Sequence, residues 1–195
     1  MDLNQENHSN PAREIRKEFF AFRNGIVADK LRKAGDPHHI IMGCLLVDIQ
    51  AIAQRQREAL DSNSRLAELA EELWQDTQSR ECRLAAPMLY PPQSMTLEHA
   101  LRWCETVETV EVADNLCHKL LRHIPEAEGL FQRLIAVEQP LMRYTGYRLL
   151  LNLLLLCKVR PNDALKRTVE AEARQAEQPL ASLLNDILEE FNQPN

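Results

Sequence analysis

With 195 residues, the chain is long enough to bury roughly 70% of its unfolded surface in one domain. Only 5 glycines stand among abundant Leu, Ala, Glu, Arg and Gln, a composition that suits helices and excludes a sheet-rich fold. A formal charge of −6 argues against a molecule coated in positive potential, and 5 cysteines, an odd number with no CxxC pair, exclude a disulfide framework and suit a reducing compartment.

The first ten residues, MDLNQENHSN, read as a disordered polar tail. They have neither a basic start nor an apolar stretch, so a cytoplasmic location is expected. Pro11 and the apolar spacing of Ile15, Phe19, Phe22 and Ile26 predict a first helix, with Gly25 as a candidate break and Gly35-Asp36-Pro37 as its stop. His38 and His39 follow in a loop with no partner cysteine or serine in reach, and read as a solvated turn. A second helix runs from Val47 to about Leu60 on the spacing of Ile49, Ile52, Ala53 and Leu60, and Asp61-Ser62-Asn63-Ser64 supplies turn and cap chemistry. Two helices are therefore expected before residue 64.

Beyond that point the pattern predicts helices over 64–75, 79–90, 95–106, 110–124, 127–137, 140–158, 162–174 and 178–192. Proline marks the joints at Tyr90-Pro91-Pro92, Ile124-Pro125, Gln139-Pro140 and Arg160-Pro161. These helices form four pairs with a period of roughly 30–34 residues, in the range of helical solenoids. The run Leu149 to Cys157, interrupted by Asn152, falls short of the roughly 20 residues that span a bilayer, so no membrane segment is expected. The expected fold is all-α: a single domain over residues 11–195, built as a solenoid of stacked antiparallel helix pairs with its function on the inner, concave face.

Charge is unevenly spread. Residues 58–114 hold 4 basic and 12 acidic side chains, whereas residues 119–167 hold 9 and 4. The latter block, with Lys119, Arg122, Arg143, Arg148, Lys158 and Arg160, is the one that favours a polyanion. Lys119, Arg122 and His123 end one predicted second helix and Lys158 with Arg160 end the next, which places a phosphate-contacting ridge on one edge, or simply cations at helix C-termini. Superposing the second helices aligns Arg83, Asp114 and Arg143. Asp114 lies in the apolar stripe Val110, Ala113, Cys117, Leu121, Ile124, where an unpaired carboxylate is costly. It is either an ion-pair partner of Arg83 or Arg143, or a functional acid; the two arginines either answer Asp114 or contact phosphate.

Three segments carry a family resemblance: MGCLLVDIQAIA at 42–53, LAELAEELWQDTQSRECRLAAPML at 66–89 and WCETVETVEVADNLCHKLL at 103–121. In this order and spacing they resemble the HEAT-like-repeat bacterial alkylpurine DNA glycosylases of the DNA alkylation repair family, over about residues 42–157. The resemblance implies HEAT-like repeats, a concave channel for duplex DNA, and hydrolysis of the N-glycosidic bond of cationic alkylated purines without base flipping. Neither a cofactor nor a metal is implied. Asp114 matches the family's catalytic aspartate, placed beside the sugar to stabilise oxocarbenium character, and Arg143 and Tyr144 fall in the stretch that supplies the family's channel arginines. The chain departs from the pattern where a Trp should precede the aspartate by four residues, since it has Val110. It departs again in the Trp-x-Arg-Arg stretch, which reads Leu141, Met142, Arg143, Tyr144, and no Trp follows Trp103. Two aromatic walls for a cationic base are thus missing. At about 0.5–2 kcal/mol for each lost contact, rate or affinity falls by a combined factor of roughly 10 to 10³. The alternative reading is a catalytically silent scaffold of the same repeats, binding a protein or undamaged nucleic acid through the concave face.

Other groups read as structural. Cys104, Cys117, His118 and His123 lack zinc-knuckle spacing. Trp74 and Trp103 sit beside apolar neighbours and read as core. Glu68, Glu71, Glu72 and Asp76 read as a solvated convex face.

Overall fold

The computed structural model describes residues 10–192, and residues 1–9 of the expected tail lie outside that range. The described residues form eleven α-helices and two 3-10 turns, with no strand among them. They divide into two compact units, 1–91 and 92–195. None of the helices is long and apolar enough to cross a membrane.

The first unit holds α1 (Pro11–Ala21), α2 (Gly25–Lys33), α3 (Leu46–Ala59), α4 (Asn63–Trp74) and α5 (Arg80–Leu89). Asn10, assigned from the sequence to the tail, is the N-cap of α1, its carboxamide oxygen accepting from the Ala12 and Arg13 N–H groups. Three helices rather than two precede residue 63, because Asn24 caps α2 by accepting from Ile26 and Val27 and so restarts the helix after Phe22. A side-chain cap of this kind contributes about 1 kcal/mol. Helices α3 and α4 both pack against α5, which is buried along almost its whole length.

The loop from residue 36 to 45 is fastened by α5. Glu81, 0% exposed, accepts from the backbone N–H groups of Met42 (3.1 Å), Gly43 (3.0 Å) and Cys44 (3.3 Å), and pairs with Arg80 at 3.0 Å. A buried carboxylate is tolerable only with donors this close. Gly43 has φ +76°, and a Cβ on it would lie 2.2 Å from the Asn24 carbonyl oxygen, so only glycine fits. Within the same loop His38 is buried, with its Nδ1 2.6 Å from the Asp36 carboxylate. This corrects the solvated turn expected there; the exposed member is His39. Nor is the acidic run of α4 only a solvated face, since Glu72 and Asp76 hold Arg16 at 3.3 and 3.2 Å.

The second unit holds α6 (Leu97–Glu105), α7 (Val110–Lys119), α8 (Ala127–Ile135), α9 (Pro140–Leu155), α10 (Asp163–Ala173) and α11 (Leu180–Asn192), with 3-10 turns at Pro92–Ser94 and Leu121–His123. Thr96, Thr109 and Asn162 cap α6, α7 and α10 with side-chain oxygens. The helix expected over 110–124 stops at Lys119 and tightens into the 3-10 turn, as befits a chain about to meet Pro125. Helix α9 is the hub: α7, α8 and α11 all pack on it, and most of its residues are buried, with Arg143 and Arg148 left half-buried. Gly146 allows α8 its close approach, since a Cβ there would lie 2.7 Å from the Leu134 Cβ and 2.9 Å from the Ile135 backbone nitrogen. Helix α9 ends on Cys157 at φ +53°, with the Lys158 N–H donating to the Leu153 carbonyl at 2.9 Å.

Candidate nucleic-acid interface and the Asp114 site

Asp114 sits in the middle of α7, opposite α9. The neighbouring Val112, Ala113, Leu116 and Cys117 are buried, whereas the Asp114 side chain retains 35% exposure. The Tyr144 hydroxyl donates to its Oδ1 at 2.9 Å, and the Arg148 Nε lies 3.1 Å from the same oxygen. The Arg148 N–H is not aligned for a hydrogen bond, so that contact is an ion pair. Tyr144 and Arg148 stand four residues apart on one face of α9. Burial pushes the Asp114 pKa above its usual range, while Arg148 and then Tyr144 oppose the rise. The Tyr144 phenol is pushed up too, by burial and by the Asp114 charge, and stays a donor at neutral pH.

A cavity of about 260 Å³ adjoins this cluster. It lies among the first turns of α7 and α9 and the segment before α11, with Val110, Leu141, Tyr144, Pro179 and Leu180 in its walls. Tyr144 thus faces the cavity and holds Asp114. The mainly apolar lining suits a flat organic ring more than an anion.

The remaining arginines differ from the ladder expected from the sequence. Arg143 does not answer Asp114: its Nε donates to the Val137 carbonyl at 2.9 Å and its Nη1 pairs with Glu172 at 3.1 Å. Arg83 is 1% exposed, stacked 3.6 Å over the Trp74 ring with Nη1 donating to the Trp74 carbonyl at 2.7 Å. A guanidinium buried in this way cannot meet a phosphate, which corrects the role expected for it. Trp74 and Trp103, at 4% and 2% exposure, are core residues as their apolar neighbours suggested.

Part of the basic edge comes together in the second unit. Lys158, just beyond α9, donates through Nζ to the Arg122 carbonyl at 2.6 Å, and Arg122 Nε donates to His123 Nε2 at 3.0 Å. Burial lowers the His118 pKa from 6.5, and Arg122, Lys119, Arg148 and His123 lower it further. Burial likewise lowers that of His123, helped by Arg122 and Lys158. Two imidazoles thus register one field from cations on α7, the 3-10 turn, α9 and the turn after it. Arg160 is exposed in the stretch between α9 and α10.

The sequence placed Arg148 in the basic block without seeing its partner. Its spacing of four from Tyr144 was the available signal. His118 was weighed only as a metal ligand, and the wall at 177–180 had no signal beyond Pro179. Cys104 and Cys117 are buried thiols raised by burial, Cys117 donating to the Thr145 carbonyl at 3.4 Å. Among the described residues no group of three or more His, Cys, Asp or Glu could hold a metal ion.

The sequence profile of the family described as DNA alkylation repair enzyme matches residues 15–179. No curated protein matches the chain. Among solved structures, a protein described as belonging to a new family related to the HEAT-like repeat DNA glycosylases, with affinity for branched DNA structures, matches with a TM-score of 0.74. It shares 18% identity over 91% of this chain and 74% of that one, so the likeness concerns the HEAT-like repeat fold. With a profile that spans most of its length, from α1 to the turn before α11, the chain belongs to the DNA alkylation repair family.

Proposed function

We propose that the chain binds DNA through the sugar-phosphate backbone, using the basic edge of its second unit. The observation that carries this reading is the gathering of Lys119, Arg122, Arg148 and Lys158 around His118 and His123 in a chain whose net charge is −6. Local positive potential on an acidic protein is what backbone binding requires. Family membership supports DNA as the polyanion, and the affinity of the structural relative for branched DNA makes a junction the first ligand to compare with a plain duplex. The test is fluorescence anisotropy with duplex and four-way junction across a salt series. Arg148 is already held by Asp114, so three phosphate contacts, from Lys119, Arg122 and Lys158, predict a log–log slope of about −2.7 on duplex. A flat slope, or no binding at low salt, sinks the reading.

A second reading, slow hydrolysis of the glycosidic bond of an alkylated purine, is favoured by Asp114 beside the apolar cavity. A cationic alkylpurine is already a good leaving group, so a carboxylate near the sugar is sufficient chemistry. Two features restrain it. Val110 offers no π face to the cationic base, and Arg148 offsets the charge that would stabilise an oxocarbenium ion. Only Tyr144 supplies an aromatic wall. Incubation with methylated duplex, comparing released 3- and 7-alkylpurines for the wild type and Asp114→Asn, tests it. Release no greater than in buffer leaves a DNA-binding protein without this activity.

A further inference from the structure

Of the nine large apolar side chains exposed among the described residues, seven lie between Phe20 and Val47, in the first unit. Ile26 is 73% and Val47 68% exposed, and Leu45 and Leu46 at the start of α3 are exposed as well. Monomeric proteins seldom leave so much large apolar surface together without a use for it. Part of this surface is concave: Phe20, Ala28, Ile40 and Ile41 line a groove of about 650 Å³ whose walls also include Arg23 and Arg32.

The groove is built rather than loosely draped. Its far wall is the loop that Glu81 fastens, and the Asn24 N–H donates to the Met42 carbonyl at 2.8 Å. The two charged side chains that line it are both basic. The Arg23 guanidinium stands 4.2 Å from the Phe20 ring and donates to the Phe20 carbonyl, and no acidic side chain pairs with it among the described residues. Arg32 bonds the Ile41 carbonyl at 3.0 Å and Asp29 at 3.3 Å, while Lys30 and Lys33 complete the last turn of α2. Asp36, the other acid of this stretch, is engaged by His38.

We propose that this groove docks an acidic amphipathic helix of a partner protein, with aliphatic anchors in the groove and Asp or Glu side chains against Arg23 and the last turn of α2. An apolar trough with charged edges is the geometry by which a helix is received at i, i+3, i+4 and i+7. The aliphatic lining of Ala28, Ile40, Ile41 and Met42 suits aliphatic anchors, whereas bases need open aromatic faces and one face of Phe20 is covered by Arg23. A symmetric pairing of two copies through this face would set the same basic side chains against each other. The groove belongs wholly to the first unit, and the proposal does not depend on the DNA reading.

The experiment is a display selection of short random peptides on the full chain, counter-selected against the Phe20→Glu/Ile40→Glu double variant, both residues of the groove lining. Both substituted residues are exposed, and far-UV circular dichroism checks that the variant folds. The expected result is a set of peptides with apolar residues at helical spacing interleaved with Asp and Glu. A synthetic member should lose roughly tenfold in affinity to Arg23→Glu, while DNA binding is unchanged. Four results overturn the proposal: no peptide that separates wild type from the double variant; enriched peptides that are basic; a fall in DNA affinity in the double variant; or loss, in that variant, of a wild-type dimer or of binding to phosphatidylserine vesicles. The last two assign the face to nucleic acid, to a second copy or to a lipid surface instead.

Discussion

Arg148 meets the Asp114 carboxylate at 3.1 Å from one turn beyond Tyr144, whose hydroxyl donates to the same oxygen at 2.9 Å. Both partners favour the ionised acid, and burial opposes them. Removing either should therefore raise the Asp114 pKa further. In Tyr144→Phe and in Arg148→Ala, carboxyl NMR titration should find Asp114 protonating at higher pH than in the wild type. An unchanged titration would mean that neither contact persists in solution. Because the side chain is about one-third exposed, Asp114→Ala should cost only about 1 kcal/mol of stability, well under the 3–5 kcal/mol of a fully buried pair.

Glu81 presents the opposite case. Its carboxylate is fully buried and meets three backbone donors and Arg80. Glu81→Ala strands those donors and leaves a buried guanidinium without its acid, so urea unfolding should give a loss of about 3–5 kcal/mol. A loss under about 1 kcal/mol would show that the 42–44 loop holds its place without the acid.

The basic edge predicts a salt signature. Arg122→Ala with Lys158→Ala should reduce the magnitude of the log–log salt slope for duplex DNA by about 2. Arg83→Ala, which removes a stacked and hydrogen-bonded group from the core, should instead cost about 1–3 kcal/mol of stability with the slope intact. A reversed outcome would return Arg83 to the interface.

Acidity should strengthen DNA binding. The His118 and His123 pKa values are lowered from 6.5 in the free protein, so both imidazoles are neutral at pH 7. Phosphates beside them favour the charged form, and binding then takes up protons, so affinity should rise as pH falls from about 7.5 to 6. The free fold has the opposite sign. A lowered folded pKa means that the unfolded chain binds protons first, so stability declines as pH drops below 6.5. His118→Gln/His123→Gln should flatten the pH dependence of binding beyond what duplex alone explains.

At the α8–α9 contact, Gly146→Ala places a methyl 2.7 Å from the Leu134 Cβ and 2.9 Å from the Ile135 nitrogen. Overpacking of this kind costs about 1–3 kcal/mol. Thermal unfolding of the variant is the measurement, and an unchanged midpoint would mean that the helices part freely.

Much of the fold could be read from residue spacing because the signals were local. Pro140 opens α9, Thr109 caps α7 and apolar periodicity runs between such marks. Relationships through space were harder to read. Nothing near Arg83 in sequence reveals the Trp74 ring beneath it, so neither of the roles open to it, a partner for Asp114 or a phosphate contact, is the one it has. Asp114 was recognised as an acid on an apolar face, but its partner was sought by superposing repeats, which compares equivalent positions. The ion-pair partner, Arg148, lies on α9 five residues past the equivalent position, Arg143. His38 failed for a related reason: a loop read as solvated is turned inward by a carboxylate two residues before it.

Gly146 has a consequence for how the Asp114 site varies among relatives. Tyr144 and Arg148 flank it on α9, and the rotation of that helix is keyed by bare backbone against Leu134 and Ile135. Added bulk on α8 would turn or lift α9 and carry both partners away from the carboxylate together. A lesion at 134 or 135, with every residue of the site intact, would then mimic loss of the site, so inheritance of the Asp114 cluster should be judged by the helix behind it as well as by the three side chains themselves.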